Sequence, residues 1–513
     1  MVNGNLYAHF QVIFHRFSDK TALTEVDGST LSYGQLDSAA GQMAASLSQL
    51  GVQRGDRVSV QVAKSTQALV LYLGCLRGGF VFHPLNTGYK EYELTYFLGN
   101  AEPVLMVCDQ ADVAVLKPLC QQANVSTLLT LNADGSGSLT DHVFKISSEL
   151  PVADLEPDSL AALLYSSGTT GTPKGIMLSH ENLRSNAVSL VKGWGFTEKD
   201  VLLHALPIFH VHGLFVALGC VFLSGASMRW LAGFDLDEIL ATLPLSTSMM
   251  GVPTYYTRLL GSDRFGRQST VNIRLFISGS APLLIETFDD FEARTGHRIL
   301  ERYGMTETNM NTSNPLNGER RAGTVGLPLP GVEVRITNDK NQPLAYDEIG
   351  SLQVRGGNVF KGYWKMPEKT AEDFTADGYF NTGDKGQISA DGYVAIVGRA
   401  KDMVISGGLN IYPKEVELVI DELPGVLESA VIGVAHADFG EALVALVVRN
   451  GDIEEAAVIT ALKAQISGFK VPKRVVFVAQ LPRNTMGKVQ KNLLREEFAN
   501  LLDIGQTQLP PLA

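Results

Sequence analysis

The stretch from Tyr165 to Gly175 constrains this chain more than any other. It holds five small hydroxyl residues, three glycines and Lys174. Glycines let a backbone approach an anion, hydroxyls and N–H groups donate hydrogen bonds, and a lysine adds charge, so such a loop can wrap a triphosphate. It is not a Walker A loop, because Pro173 stands where that motif needs its second glycine. Its flanks also separate it from a plain linker. The apolar run Leu160 to Tyr165 leads in, Ile176-Met177-Leu178 follows as a second short strand, and Ser179-His180-Glu181-Asn182 opens a helix. A Gly/Ser/Thr loop held between ordered elements reads as a binding loop.

The rest of the chain predicts the frame around it. A chain of 513 residues is too long for one hydrophobic core, so two or more domains are expected. Apolar strand-like runs at Arg57 to Val62, Pro103 to Cys108, Thr127 to Leu131 and Ile273 to Ser278 are separated by helical patterns, among them Thr30 to Leu50 and Gln67 to Leu76. That alternation predicts α/β layers with largely parallel sheets. The most apolar segment, Gly213 to Met228, is short for a membrane span and is interrupted by Gly219, Ser224 and Gly225; it is expected as a core helix. After the Gly- and Pro-rich stretch Gly323 to Gly331, strands at Glu333 to Ile336, Ser351 to Arg355 and Tyr393 to Val397 predict a small β-rich subdomain over about 323–399. Past Arg399 a new pattern begins. It has a helix from Pro413, strands at Glu428 to Val434 and Leu443 to Val448, and a helix from Glu454. The expected layout is a large N-terminal α/β domain, 1–399, followed by a small mobile α+β lid domain, 400–513.

A net charge of −12 argues against bulk nucleic-acid binding and against adhesion to an anionic membrane. Cys75, Cys108, Cys120 and Cys220 form no Cys-x-x-Cys pair, so buried free thiols in a reducing, cytoplasmic setting are expected. Met1 to Leu6 show neither the basic region nor the apolar run of a signal peptide.

Four later segments join the loop. Tyr303-Gly304-Met305-Thr306-Glu307-Thr308, Tyr379-Phe380-Asn381-Thr382-Gly383-Asp384, Gly398-Arg399-Ala400-Lys401-Asp402 and Pro482-Arg483-Asn484-Thr485-Met486-Gly487-Lys488 follow it in order. Together the five resemble the signatures of the adenylate-forming superfamily, which takes in acyl-CoA synthetases, peptide-synthetase adenylation domains and luciferases. The resemblance implies an enzyme using ATP, Mg²⁺ and coenzyme A. It implies that Ser166, Ser167, Gly168, Thr169, Thr170, Gly171 and Lys174 hold the phosphates. Tyr303, Gly304 and Met305 would bind adenine, and Thr306 the α-phosphate. Glu307 and Thr170 would hold the metal, and Asp384 and Arg399 would serve the ribose. Lys401 would be the hinge, and Lys488 the catalytic lysine of the lid. Gly407 and Gly408 would line a pantetheine tunnel, and the cluster Lys470, Lys473 and Arg474 is open to CoA phosphates. His210-Val211-His212 is a weak metal signal. The preceding Ala205-Leu206-Pro207-Ile208-Phe209 resembles the superfamily's acyl-pocket motif, so His210 is expected to guard the acid's carboxylate, with Ser280 and Met310 beside it.

The text Glu301 to Pro315, Gly251 to Leu260 and Leu481 to Lys491 resembles the malonyl-CoA synthetases in particular. A dicarboxylate carries a second charge into its pocket, and burying that charge unpaired is costly. A cation is therefore expected there. Pro253 can open a helix on which Thr254 and Arg258 share a face, which favours Arg258, with Arg229 and Arg274 as rivals. The expected reaction joins malonate to CoA through a malonyl-adenylate. A synthetase for methylmalonate or oxalate, or an adenylation module loading a carrier protein, stays open, as does the oligomeric state.

Overall fold

The computed structural model describes residues 3–166, 173–281, 283, 285–399, 404–411, 413–482 and 489–502. These divide into two compact units. One takes in the described residues of Met1–Thr87, Leu94–Ser166 and Lys174–Gly398; the other takes in those of Gly88–Glu93, Ser167–Pro173 and Arg399–Ala513.

The first unit is layered α/β, as the alternation predicts. Its six-stranded sheet runs Thr127–Thr130, Leu105–Cys108, Arg57–Gln61, Val81–Pro84, Leu160–Ser166 and Lys174–Ser179. All pairs are parallel except the last. Leu105–Cys108 is buried at every position, the continuous apolar signature of a parallel strand covered on both faces. The nine-stranded sheet runs Leu327–Pro328, Asn309–Ser313, Leu300–Met305, Leu275–Ser278, Ser248–Gly251, Val201–His204, Ser227–Trp230, Thr21–Glu25 and Thr30–Ser32. Its centre is parallel and both ends are antiparallel. A four-stranded sheet of Val332–Thr337, Gly350–Gly356, Phe380–Ile388 and Val394–Arg399 completes the unit. The sequence pattern predicts three of these strands; the remaining one, Phe380–Ile388, carries Asp384.

The apolar stretch Gly213 to Met228 is only partly the core helix it resembles. A π-helical turn at His212–Ala217 passes into the α-helix Leu218–Ser224, which stops at Gly225 with φ of 72°. Ser227 and Met228 already belong to a strand. The run looks like one element in the sequence because strand and helix ends are equally apolar when both are buried.

The second unit is built on the long hairpin Val426–His436 and Gly440–Arg449, flanked by Val404–Ser406, Leu409–Ile411 and Arg474–Phe477. Alternate residues fill two separate apolar clusters. Val431, Leu443 and Ala445 pack with Val416 and Ile420 of the helix Pro413–Asp421 and with Val458 and Leu462 of the helix Glu455–Gln465. Ile432, Val444 and Leu446 pack with Leu494 of the helix Lys491–Glu497. Period-two burial on both faces is what a strand sandwiched by helices requires. All four cysteines are buried and free of disulfides. No helix among the described residues is long and apolar enough to cross a membrane.

Candidate active site

Two strands flank the glycine-rich loop. Leu160–Ser166 and Lys174–Ser179 pair antiparallel, with Ser166 directly opposite Lys174. The helix that follows is entered through a capping box between Ser179 and Asn182, the start signal its sequence carries. Ser167, Gly168, Thr169, Thr170 and Gly171 lie outside the described residues. Their two anchors do not. Ser166 Oγ donates to Glu307 Oε1 at 3.2 Å. Lys174 is buried to 6% exposure; its Nζ stands 3.8 Å from the Asp373 carboxylate and 4.6 Å from the centre of the Tyr363 ring. A buried ammonium needs such partners, and they fix its direction.

Tyr303, Gly304 and Met305 end the strand Leu300–Met305, and Thr306-Glu307-Thr308 is the turn into Asn309–Ser313. A Cβ at Gly304 would stand 1.9 Å from the carbonyl oxygen of Asn309, so no other residue fits there. Asn358 braces the turn, its amide donating to the carbonyls of Thr308 at 2.7 Å and Met310 at 3.2 Å. Phe360 N donates to the carbonyl of Glu307 at 2.8 Å. Glu307 is thereby held with its side chain 5% exposed, while Thr306 beside it is half-buried. Met310 is buried, and its carbonyl also accepts from Asn186 Nδ2 at 2.8 Å. The Tyr303 hydroxyl donates to Asp384 Oδ2 at 2.5 Å, joining the expected adenine and ribose residues across 81 positions of sequence. Asp384 is 2% exposed, on a strand whose preceding Gly383 has φ of 76°.

The strand Val201–His204 leads into the segment Ala205 to His212, where the acid is expected. His210 is half-buried, and burial followed by the nearby Arg302 charge pushes its imidazole down to about 4, so it is neutral at pH 7. His212 is buried and neutral for the same reasons. Among the described residues no group of three or more His, Cys, Asp or Glu side chains could hold a metal ion.

The three arginines weighed for the distal carboxylate fall in different surroundings. Arg258 lies in the last turn of the helix Pro253–Leu260, exposed, with its guanidinium 5.5 Å from the Phe234 ring. Thr254, meant to share its face, is buried. Arg274 is committed elsewhere, 2.6 Å from Asp200 and 3.1 Å from the carbonyls of Trp194 and Gly195. Arg229 sits mid-strand, in register with Thr24 and Leu203. Arg302, which no sequence motif singles out as a carboxylate partner, is 3% exposed. Its Nη2 reaches Ser280 Oγ at only 3.4 Å, and its Nε has no partner among the described residues. Burial lowers its guanidinium to about 9, which still leaves it charged at pH 7. Ser280 itself holds φ of 72°, backbone strain of the kind found at binding sites. The available signal was a basic residue inside a strand pattern, next to Tyr303 but on the opposite face.

In the second unit, Gly407 and Gly408 form a turn with φ of 57° and 79°, closed by Gly407 N donating to the carbonyl of Phe439 at 2.9 Å. Lys401 and Lys488 lie outside the described residues, as does the side chain of Arg399. Lys470 is buried against Glu415 at 3.1 Å and Glu93 at 2.7 Å, both of the same unit. It is therefore committed to carboxylates rather than open to CoA phosphates.

The family of AMP-binding enzymes matches residues 10–364, and the AMP-binding enzyme C-terminal domain matches residues 415–488. A malonate–CoA ligase from Arabidopsis thaliana is 34% identical over 97% of this chain and 90% of its own length. The crystal structure of ATP-bound MatB from Rhodopseudomonas palustris is 51% identical, with a TM-score of 0.77 over 98% of this chain and all of that one. A malonyl-CoA ligase in a ternary product complex with methylmalonyl-CoA and AMP is 34% identical, with a TM-score of 0.79 over 91% of this chain and 97% of that one.

Proposed function

The chain belongs to the family of AMP-binding enzymes, and from that premise we propose that it joins malonate to coenzyme A at the expense of ATP. It is an AMP-forming acid–thiol ligase. A carboxylate oxygen of malonate attacks the α-phosphorus of ATP and pyrophosphate leaves, giving malonyl-adenylate. The thiolate of CoA then attacks the acyl carbon and AMP leaves.

Each step asks for positioning and for charge where anions meet. Lys174, Thr169 and Thr170 hold the β- and γ-phosphates. Thr306 serves the α-phosphate, and Tyr303 and Asp384 serve the nucleoside, with Arg399 beside the ribose. Lys488 supplies the mobile charge of the first step, Lys401 is the hinge, and Gly407 and Gly408 admit pantetheine. Glu307 and Thr170 offer hard oxygen donors of the kind Mg²⁺ takes, and the bound ion would neutralise phosphate charge. His210 stays neutral and donates or accepts a hydrogen bond at the reacting carboxylate, with Ser280 and Met310 around the acid. The partners are small molecules: malonate, ATP and CoA. Four buried unpaired thiols suit a reducing compartment, and we place the protein in the cytoplasm.

The observation that carries malonate over a monocarboxylate is Arg302, a buried guanidinium whose charge is felt at His210 and whose Nε has no partner among the described residues. A distal carboxylate supplies the charge-assisted partner it lacks. The test is AMP formation with ATP and free CoA across malonate, methylmalonate, oxalate and butyrate. Malonate should lead. Equal turnover of butyrate would remove the specificity argument, and AMP formation that requires a carrier protein would favour the carrier-loading alternative.

A further inference from the structure

A chain of polar contacts beneath the acid-binding segment has no part in the chemistry above. Lys64 follows the strand Arg57–Gln61 of the six-stranded sheet; His204 ends the strand Val201–His204 of the nine-stranded sheet. Both residues thus lie at carboxyl ends of parallel strands, where α/β folds place their ligands. Lys64 Nζ stands 2.9 Å from His204 Nδ1 and 2.7 Å from the His204 carbonyl oxygen. It also lies 4.0 Å from the centre of the Trp230 ring, the register partner of His204. His204 is 1% exposed, and its Nε2 stands 2.9 Å from the carbonyl oxygen of Gly213.

The donor order is fixed by chemistry. A carbonyl only accepts, so Nε2 carries the imidazole proton, and Nδ1 accepts from the lysine. Gly213 lies in the π-helical turn His212–Ala217, whose entry is closed by Leu214 N donating to the His210 carbonyl at 2.9 Å. A Cβ at Gly213 would stand 2.1 Å from the Pro207 carbonyl oxygen, so this turn is packed directly on the acyl-pocket segment. Single π-turns are uncommon and concentrate at functional sites, because their geometry needs outside support.

We propose that Lys64 and His204 are positioning residues for the acid: Lys64 fixes the tautomer and ring of His204, and His204 fixes the Gly213 carbonyl and with it the turn that presents His210. The pair ties the carboxyl edges of the two sheets together at one point. Burial pushes the Lys64 amine well below its usual range, and either of its protonation states can still donate to Nδ1. The inference rests on His210 lining the acid pocket.

Steady-state AMP formation by Lys64→Met, His204→Leu and His204→Gln tests it. The first two should raise the KM for malonate by about tenfold, the value of one positioning hydrogen bond, and leave the KM for ATP unchanged. His204→Gln places an amide N–H near the position of Nε2 and should recover most of the loss. The dyad is overturned if malonate KM stays at the wild-type value, if both KM values rise together, or if glutamine recovers nothing. Amide exchange over residues 211–217 gives a second reading on any variant that folds: it should quicken in Lys64→Met, and unchanged exchange counts against the proposal. Wild-type enzyme that turns over butyrate but not malonate counts against the proposed function; normal malonate turnover with indifferent variants counts against the dyad alone.

Discussion

Arg302→Leu should separate binding from stability in opposite directions. The guanidinium is 3% exposed, and its one hydrogen bond among the described residues, to Ser280, is long at 3.4 Å. If it pairs with malonate as proposed, removing it leaves the buried distal carboxylate unpaired, which costs about 3–5 kcal/mol, or roughly a hundred- to several-thousand-fold in kcat/KM. Butyrate has no second carboxylate, so its kcat/KM should hold or rise. Arg258→Leu is the internal comparison. An exposed ion pair is worth at most about 1 kcal/mol, so malonate should lose no more than about fivefold. Because Arg302 is a desolvated charge with little to compensate it, replacing it with an apolar side chain should leave the melting temperature unchanged or raise it. The assay is kcat/KM for malonate and butyrate in the wild type and both variants, with a melt of each. If Arg302→Leu loses both acids equally and also melts lower, the arginine is structural. If Arg258→Leu suffers the larger selective loss, the distal carboxylate belongs to the exposed helix and the reasoning from burial fails.

Lys488→Ala should abolish malonyl-adenylate formation yet spare thioester formation from supplied malonyl-AMP; equal losses would mean the lysine serves both steps. Gly408→Leu should do the reverse, keeping pyrophosphate exchange while CoA turnover falls, since its φ of 79° already admits a side chain poorly. Glu307→Gln should weaken the Mg²⁺ dependence and cut adenylation by orders of magnitude, the scale of a metal-held charge; an unchanged metal titration would contradict it. The buried His180, whose Nδ1 accepts from Leu6 N at 3.1 Å, is pushed down to about 4 by burial. Below pH 6.5 the unfolded chain binds a proton there that the folded chain refuses, so stability should fall as pH drops from 6.5 towards 4, by on the order of 2 kcal/mol at pH 5. Denaturant unfolding of wild type and His180→Asn should show a flatter pH profile in the variant.

Turn chemistry and period made much of this legible in the sequence. The capping box at Ser179 and Asn182, the strand before the loop, and the hairpin strands of the second unit were all readable from local pattern. Burial was not. Arg302 and Arg258 look alike as text, and only the packing of Leu300–Met305 between neighbouring strands puts one inside and leaves the other in solvent. Asn358 was missed because its work is done on carbonyls 48 and 50 positions away, a pairing that no local spacing encodes. Asp384 stands out through its motif, although the strand carrying it does not, since Asn381 to Asp384 is also good turn chemistry.

The two units have separate apolar cores, and that has a calorimetric consequence. A chain whose halves each bury their own clusters is not obliged to melt in one cooperative event. Two overlapping heat-absorption peaks are expected, the smaller belonging to the hairpin of Val426–His436 and Gly440–Arg449. A single midpoint read from a dye or a CD signal would then blend two equilibria. Substitutions such as Arg302→Leu and His180→Asn should displace only the larger peak, so each endotherm labels the part of the chain in which a mutation acts.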